Sequence, residues 1–304
     1  MEKYVLSTAL DVVPVDDNIV AVVSSRERFK IKGSNMSVAV KAVIDCFKTP
    51  TSADDVIPQL ANKYSSATLK KLIDFLINKR VLITEDESNE LLKHSEDFLE
   101  KAYYYTSGGK PLAEIADALG KLRVGIIWSN QIVNCVSDTL VSGGIIPKPN
   151  VFAISKEMDS IVENSDLIIA ASNFYDHYTF NQINELCTKH NVKWLRLVVD
   201  GHTAEVGPFF IPGKTCCYAC LHTRERDNLD EYIFDDLKVE GNPVKFSSLY
   251  HLNSIAAGIA CSEIMKHFTG LRCSLLNNVY SVNCLDLHTQ TDYIYKDYAC
   301  KVCL

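Results

Sequence analysis

The chain has 304 residues, 47% hydrophobic and 23% charged, an ordinary globular composition with room for one large domain or two smaller ones. A net charge of −7 argues against a general nucleic-acid binder, and no apolar run is long enough to span a membrane. The opening MEKYVLSTALDVVPVDD alternates and carries acids early, unlike a signal peptide, so a cytoplasmic protein with its eleven cysteines reduced is expected.

Charge is spread unevenly: residues 1–84 hold 12 Lys/Arg against 9 Asp/Glu, the remainder 19 against 29. Three β-prone runs open the basic part, Asp11–Val15, Ile19–Ser24 and Arg28–Lys32, separated by turn-formers at Asp16-Asp17-Asn18 and at Ser25–Glu27. Phe29 and Ile31 alternate with Arg28, Lys30 and Lys32, the pattern of a strand with one wet face. Helical spacing follows over Met36–Phe47, then from Thr51/Ser52 in a segment that Pro58 should shorten or kink, then from Ser65/Ser66. Val81-Leu82-Ile83 reads as a closing strand. Three strands, three helices and a closing strand make a winged-helix-like plan over residues 1–85. DNA binding is one reading of it, with Lys70, Lys71, Lys79 and Arg80 facing phosphate, and a structural module is another. The third is peptide capture. In that case the strand Arg28, Phe29, Lys30, Ile31 and Lys32 accepts an extended peptide, and the neighbouring helix offers Leu69, Lys70, Leu72, Ile73 and Leu76.

Residues 86–118 read as a linking helical segment, acidic from Glu85 and aromatic up to Tyr105, broken at Ser107–Pro111 and resuming over Leu112–Leu119. Strand-like runs at Leu122–Trp128, Val151–Ile154, Asp166–Ala171 and Trp194–Val199 then alternate with helix-like stretches, as expected of a parallel, Rossmann-like sheet over residues 119–304. In such a sheet the first strand-to-helix turn carries G-x-G-x-x-G, whose glycines let the backbone approach phosphates. Those positions fall here at Trp128, Asn130 and Val133, and the ribose-binding acid is missing after Ile154, where Ser155 and Lys156 stand. A filled nucleotide pocket is therefore expected.

Two Cys-x-x-Cys pairs, Cys217/Cys220 and Cys300/Cys303, have the spacing of a closed tetrahedral Zn²⁺ shell, and such a shell clamps rather than catalyses. Disulfides or unconnected thiols are the alternatives. Cys216 reads as a bystander, and the other cysteines as core. His202 and His222 flank the loop without a triad partner in sight. Residues 223–238 are highly charged and read as an exposed crossover. Phe246–His267 is helix-like, with Ala256, Ala257, Gly258 and Ala260 suited to close packing, and Asn278–Asp286 with Thr289–Tyr295 form a hairpin.

Val206-Gly-Pro-Phe-Phe-Ile-Pro-Gly-Lys-Thr215, followed by Cys217-Tyr-Ala-Cys220-Leu and Arg224/Arg226, resembles the "vGPlfvPGxTaCyeCl…R" signature of the ThiF-like superfamily, relatives of the ubiquitin-activating enzymes. Tyr298–Cys303 is similar to its closing "rCpvC", and Asp166–Asn173 to its "DlvidatDn". The subgroup resembled most is the one in cyclodehydratase complexes that make azole- and azoline-modified peptides, which begins with a winged-helix leader-recognition element. That resemblance implies an α/β protein with a leader-binding module, a degenerate ThiF-type domain and a structural zinc. It also implies a precursor leader peptide, a YcaO-type cyclodehydratase subunit and a flavin-dependent azoline dehydrogenase as partners, in a homo- or hetero-oligomer without nucleic acid or membrane. Ala170 and Asn173 stand where adenylating relatives keep acids, so a scaffold with no catalytic or nucleotide-binding residues of its own is expected. The alternative is an active ATP-dependent adenylating enzyme acting on a peptide.

Overall fold

The structure is a computed structural model and describes residues 2–8, 10–24, 28–92, 110, 112–127, 131–142, 149–152, 158–173, 175–228 and 249–303. The chain divides into two compact units, Met1–Asp117 and Ala118–Leu304.

The first unit contains β1 (Lys3–Leu6), β2 (Leu10–Asp16), β3 (Ile19–Ser24), β4 (Arg28–Lys32), α1 (Met36–Cys46), β5 (Thr51–Ser52), α2 (Ala53–Leu60), α3 (Ser66–Asn78), β6 (Leu82–Thr84) and α4 (Glu85–Leu92). β2, β3 and β4 form an antiparallel meander. Its first turn is held by the Asn18 N–H donating to Asp16 Oδ1 (2.7 Å). Alternation does what the sequence promised: Val20, Val22 and Ile31 are buried, while Arg28, Lys30 and Lys32 are exposed. α2 is short and holds Pro58, which lacks the N–H needed to continue an interior helix ladder. Ser52 and Ser65 cap α2 and α3 by accepting from the N–H of Asp54 and Thr68. The closing strand β6 does not extend the meander. It pairs with β1, a strand too short and polar at its start to be read from sequence, in a second sheet ordered β5-β1-β6. One core joins these parts, with Val43, Phe47, Leu69, Ile73 and Leu76 at its centre.

Helix α5 (Leu112–Gly120) crosses the division between the units. The second unit then contains β7 (Val124–Ile127), α6 (Gln131–Ser142), β8 (Asn150–Phe152), α7 (Met158–Glu163), β9 (Leu167–Ser172), α8 (His177–Lys189), β10 (Lys193–Asp200), β11 (Thr203–Phe210), α9 (Tyr218–Asn228), α10 (Tyr250–Thr269), β12 (Asn278–Asn283) and β13 (Thr289–Tyr293). Its seven-stranded sheet runs β13-β12-β11-β10-β9-β7-β8. β8, β7, β9 and β10 are parallel, as the βαβ rhythm predicts, and β11 to β13 complete the sheet antiparallel. β9 is buried along its whole length, which explains its unbroken apolar run.

β11 was hidden in sequence because its residues look like a loop signature. Gly207 in that strand has φ +100, and a Cβ there would run into the Asn278 carbonyl oxygen, so only glycine fits this position. In α10, Ala256, Ala257 and Ala260 are buried as expected, whereas Gly258 faces outward and does not serve close packing. Among the described residues no helix is long and apolar enough to cross a membrane.

Candidate functional site

The loop from β11 to α9 carries Cys217, and the first turn of α9 carries Cys220. Its turn is fixed by the Ile211 N–H donating to Thr215 Oγ1 (2.8 Å) and the Cys216 N–H donating to Asn277 Oδ1 (2.7 Å). α9 then begins, with the Cys220 N–H donating to the Cys217 carbonyl (3.1 Å). The hairpin β12–β13 brings the second pair alongside. Cys217 Sγ lies 3.8 Å from Cys220 Sγ and 3.5 Å from Cys300 Sγ, and Cys220 Sγ lies 3.6 Å from Cys303 Sγ. All four sulfurs fall within 4.8 Å of one another, a set that could hold one metal ion.

Burial works to raise the Cys300 thiol, but the N–H groups of Val302 and Cys303 and the neighbouring thiols outweigh it and bring it down to about 7. Burial first, then contact with Cys220 and Cys300, pushes Cys303 up to about 12. The Asp297 N–H donates to Cys220 Sγ (3.4 Å). Cys216 is buried outside the set, and its thiol is pushed up to about 12, chiefly by desolvation.

Next to the cysteines lies a shelf of aromatic and charged groups that sequence reasoning missed. Trp194 stacks on Phe210 at 4.3 Å and Tyr218 tilts against Phe180 at 5.4 Å. His177 Nδ1 is 2.7 Å from the Tyr218 hydroxyl, and its ring lies 4.1 Å from that of His222. Deeper in, Arg196 is fully buried on β10 and donates to Glu205 Oε2 (3.1 Å) and Glu225 Oε1 (3.2 Å). Tyr175 donates to Glu205 Oε1 (2.6 Å) and offers its ring to the guanidinium. Burial works to lower the Arg196 guanidinium, but Glu225 and Glu205 outweigh it and hold it above its ordinary value. Burial also raises the Glu225 carboxyl, against the pull of Arg196. These partners are 9 and 29 residues away from Arg196, and no sequence spacing signals them. His202, by contrast, is exposed and joins none of this.

At the carboxyl ends of the parallel strands, where open α/β sheets place ligands, Asn173 follows β9 and is buried. Its side-chain amide donates to Asn253 Oδ1 (3.4 Å) and to the Val199 carbonyl (3.5 Å). Ala170 sits inside β9 and contributes only packing. Val133 is buried on α6. Trp128, Asn130 and Ile154–Lys156, and with them the expected plug, lie outside the described residues.

In the first unit, β4 is an edge strand beside α3. Phe29 meets Phe75 edge-on at 6.2 Å, and the Lys79 ammonium lies 5.4 Å from the centre of the Phe29 ring. Lys70 is exposed and Leu72 half-buried. Leu69, Ile73 and Leu76, expected to meet a peptide, are instead at most 1% exposed, because their stripe of α3 faces the core and offers no surface. Phe75, off that stripe and 38% exposed, is the residue sequence reading passed over. Its signal was an apolar side chain three positions after Leu72, on the flank of α3 beside the core stripe, where it packs on Phe29.

A family model described as the ThiF family matches residues 142–302, more than half of the chain. The fold is similar to that of E. coli MccB with MccA-N7isoASN, with a TM-score of 0.68 at 17% identity over 99% of both chains. The same E. coli protein with ATP also matches, over 99% of this chain. The heterocyclase TruD matches with a TM-score of 0.71 at 15% identity, over 100% of this chain and 43% of its own. A heterocyclase in complex with substrate and cofactor gives a TM-score of 0.67 at 15% identity, over 100% of this chain and 40% of its own. The chain thus spans less than half the length of these heterocyclases. No curated protein matches significantly.

Proposed function

Because the chain belongs to the ThiF family, we propose that it is a non-adenylating scaffold of a ribosomal-peptide cyclodehydratase complex. Its winged-helix-like module, residues 1–85, grips the leader of a precursor peptide, and the degenerate ThiF domain, residues 119–304, presents the core to a separate YcaO-type subunit. That partner performs the ATP-dependent closure of Cys, Ser or Thr onto the preceding amide, and a flavin-dependent azoline dehydrogenase would oxidise the product. One observation carries this reading over an adenylating one. The residue after β9 is a buried neutral amide already committed to Asn253 and the Val199 carbonyl, so it offers no carboxylate to metal or nucleotide.

The cysteine set fits a structural Zn²⁺. A tetrahedron with Zn–S arms of about 2.3 Å has sulfur–sulfur edges of about 3.8 Å, close to the 3.5, 3.6 and 3.8 Å seen. Four thiolates leave no open position, so the ion would bind Cys217, Cys220, Cys300 and Cys303 together and leave water unactivated.

Adenylation of a peptide is the second reading, favoured by the full-length match to E. coli MccB, which has been seen with ATP. ATP–pyrophosphate exchange by the purified full chain separates the two. The scaffold gives no exchange above background with or without peptide, and sustained peptide-dependent exchange would overturn it.

A further inference from the structure

We propose that the edge of β4 selects an extended peptide segment with acidic side chains at alternate positions, an i, i+2, i+4 comb. This rests on the peptide-gripping reading above and adds the chemistry of the guest.

The register fixes which backbone groups await a guest. The Gly33 N–H donates to the Asn18 carbonyl, and Ile31 and Phe29 lie opposite Val20 and Val22, so the polar groups of these residues turn toward β3. The N–H and C=O of Arg28, Lys30 and Lys32 therefore point away, to the side where the sheet has no further strand among the described residues. The same three residues carry the cations, exposed on the wet face of the meander. A guest strand about 4.8 Å away would place every second side chain beside one of them. The intervening guest side chains would lie on the other face, next to Phe29 and toward Phe75 and Leu72 of α3.

The opposite edge is closed to such a guest. On β2, Pro14 occupies an outward-facing position without an N–H, and a register irregularity follows between Pro14 and Asp16. Asp11 and Asp16 there would also repel acids. The meander thus guards one rim and presents the other with a fixed charge period.

The test uses the full chain and three labelled synthetic nonapeptides. The comb has Glu at alternate positions with Leu and Thr between, the block has the same composition with the Glu residues contiguous, and the third is a comb with Lys for Glu. Anisotropy titrations are expected to show the Glu comb binding about tenfold tighter than the block, with the Lys comb silent. Lys30→Glu and Lys32→Glu should each weaken binding of the Glu comb, and the double variant should reverse the preference between the two combs. Hydrogen exchange with the Glu comb bound should protect the amides of Arg28, Lys30 and Lys32 while leaving Phe29 and Ile31 unchanged. Equal binding of comb and block, or a Lys30→Glu protein with unaltered comb affinity, overturns the comb and leaves peptide capture standing. No saturable binding of any probe overturns both.

Discussion

Arg196 is held without solvent contact between two carboxylates, and its place in the molecule follows from that pairing. Removing one partner from a buried charge cluster strands the others in a medium that cannot hydrate them. Arg196→Met is therefore expected to lower unfolding free energy by about 3–5 kcal/mol, read by urea denaturation, and adding Glu225→Gln should recover part of the loss. Nothing in WLRLVV marks this arginine as buried, because its partners come from β11, α9 and the segment after β9. The four cysteines were legible for the opposite reason: metal-ligand spacing is a local property, repeated twice. Asn173 stands between these cases. Its identity was visible, but its commitment to Asn253, 80 residues on, was not.

At the scale of elements, alternation and helical stripes gave the meander and three helices of the first unit and the four parallel strands of the second, but not α9, whose charged residues from Thr223 on read as an exposed crossover. What they could not give was orientation toward neighbours. The stripe Leu69/Ile73/Leu76 marks an apolar face of α3 equally well whether it meets core or ligand, and only packing decides. β1 and β11 escaped notice because one is short and the other reads as a motif. Strand starts are also tied electrostatically. Arg123, just before β7, donates through its backbone and side chain to Asp166, just before β9. The side-chain hydrogen bond from Arg123 holds the Asp166 carboxyl below its usual range. A depressed carboxyl stabilises the fold above its unfolded pKa and loses that contribution as pH falls through the folded value. Thermal melts from pH 2 to 6 should therefore show Arg123→Met less stable than the parent above about pH 4, with the two curves converging in stronger acid.

For the whole molecule, two units with separate cores should unfold as separable transitions. The cysteine set belongs to only one of them. Stripping metal with a strong chelator is expected to lower the melting of Ala118–Leu304 by on the order of 10 °C, while the Met1–Asp117 transition stays put. Calorimetry with and without chelator reads both at once. Its outcome depends on Cys217 and Cys300, 83 residues apart in the chain, lying 3.5 Å from each other, where one ion would tie them. The β4 rim has a further consequence away from any client. Among the described residues no strand pairs with that rim, and the row Arg28, Lys30 and Lys32 sets like charge against any second copy of itself, so the cations proposed to choose a guest would also hold twin molecules apart.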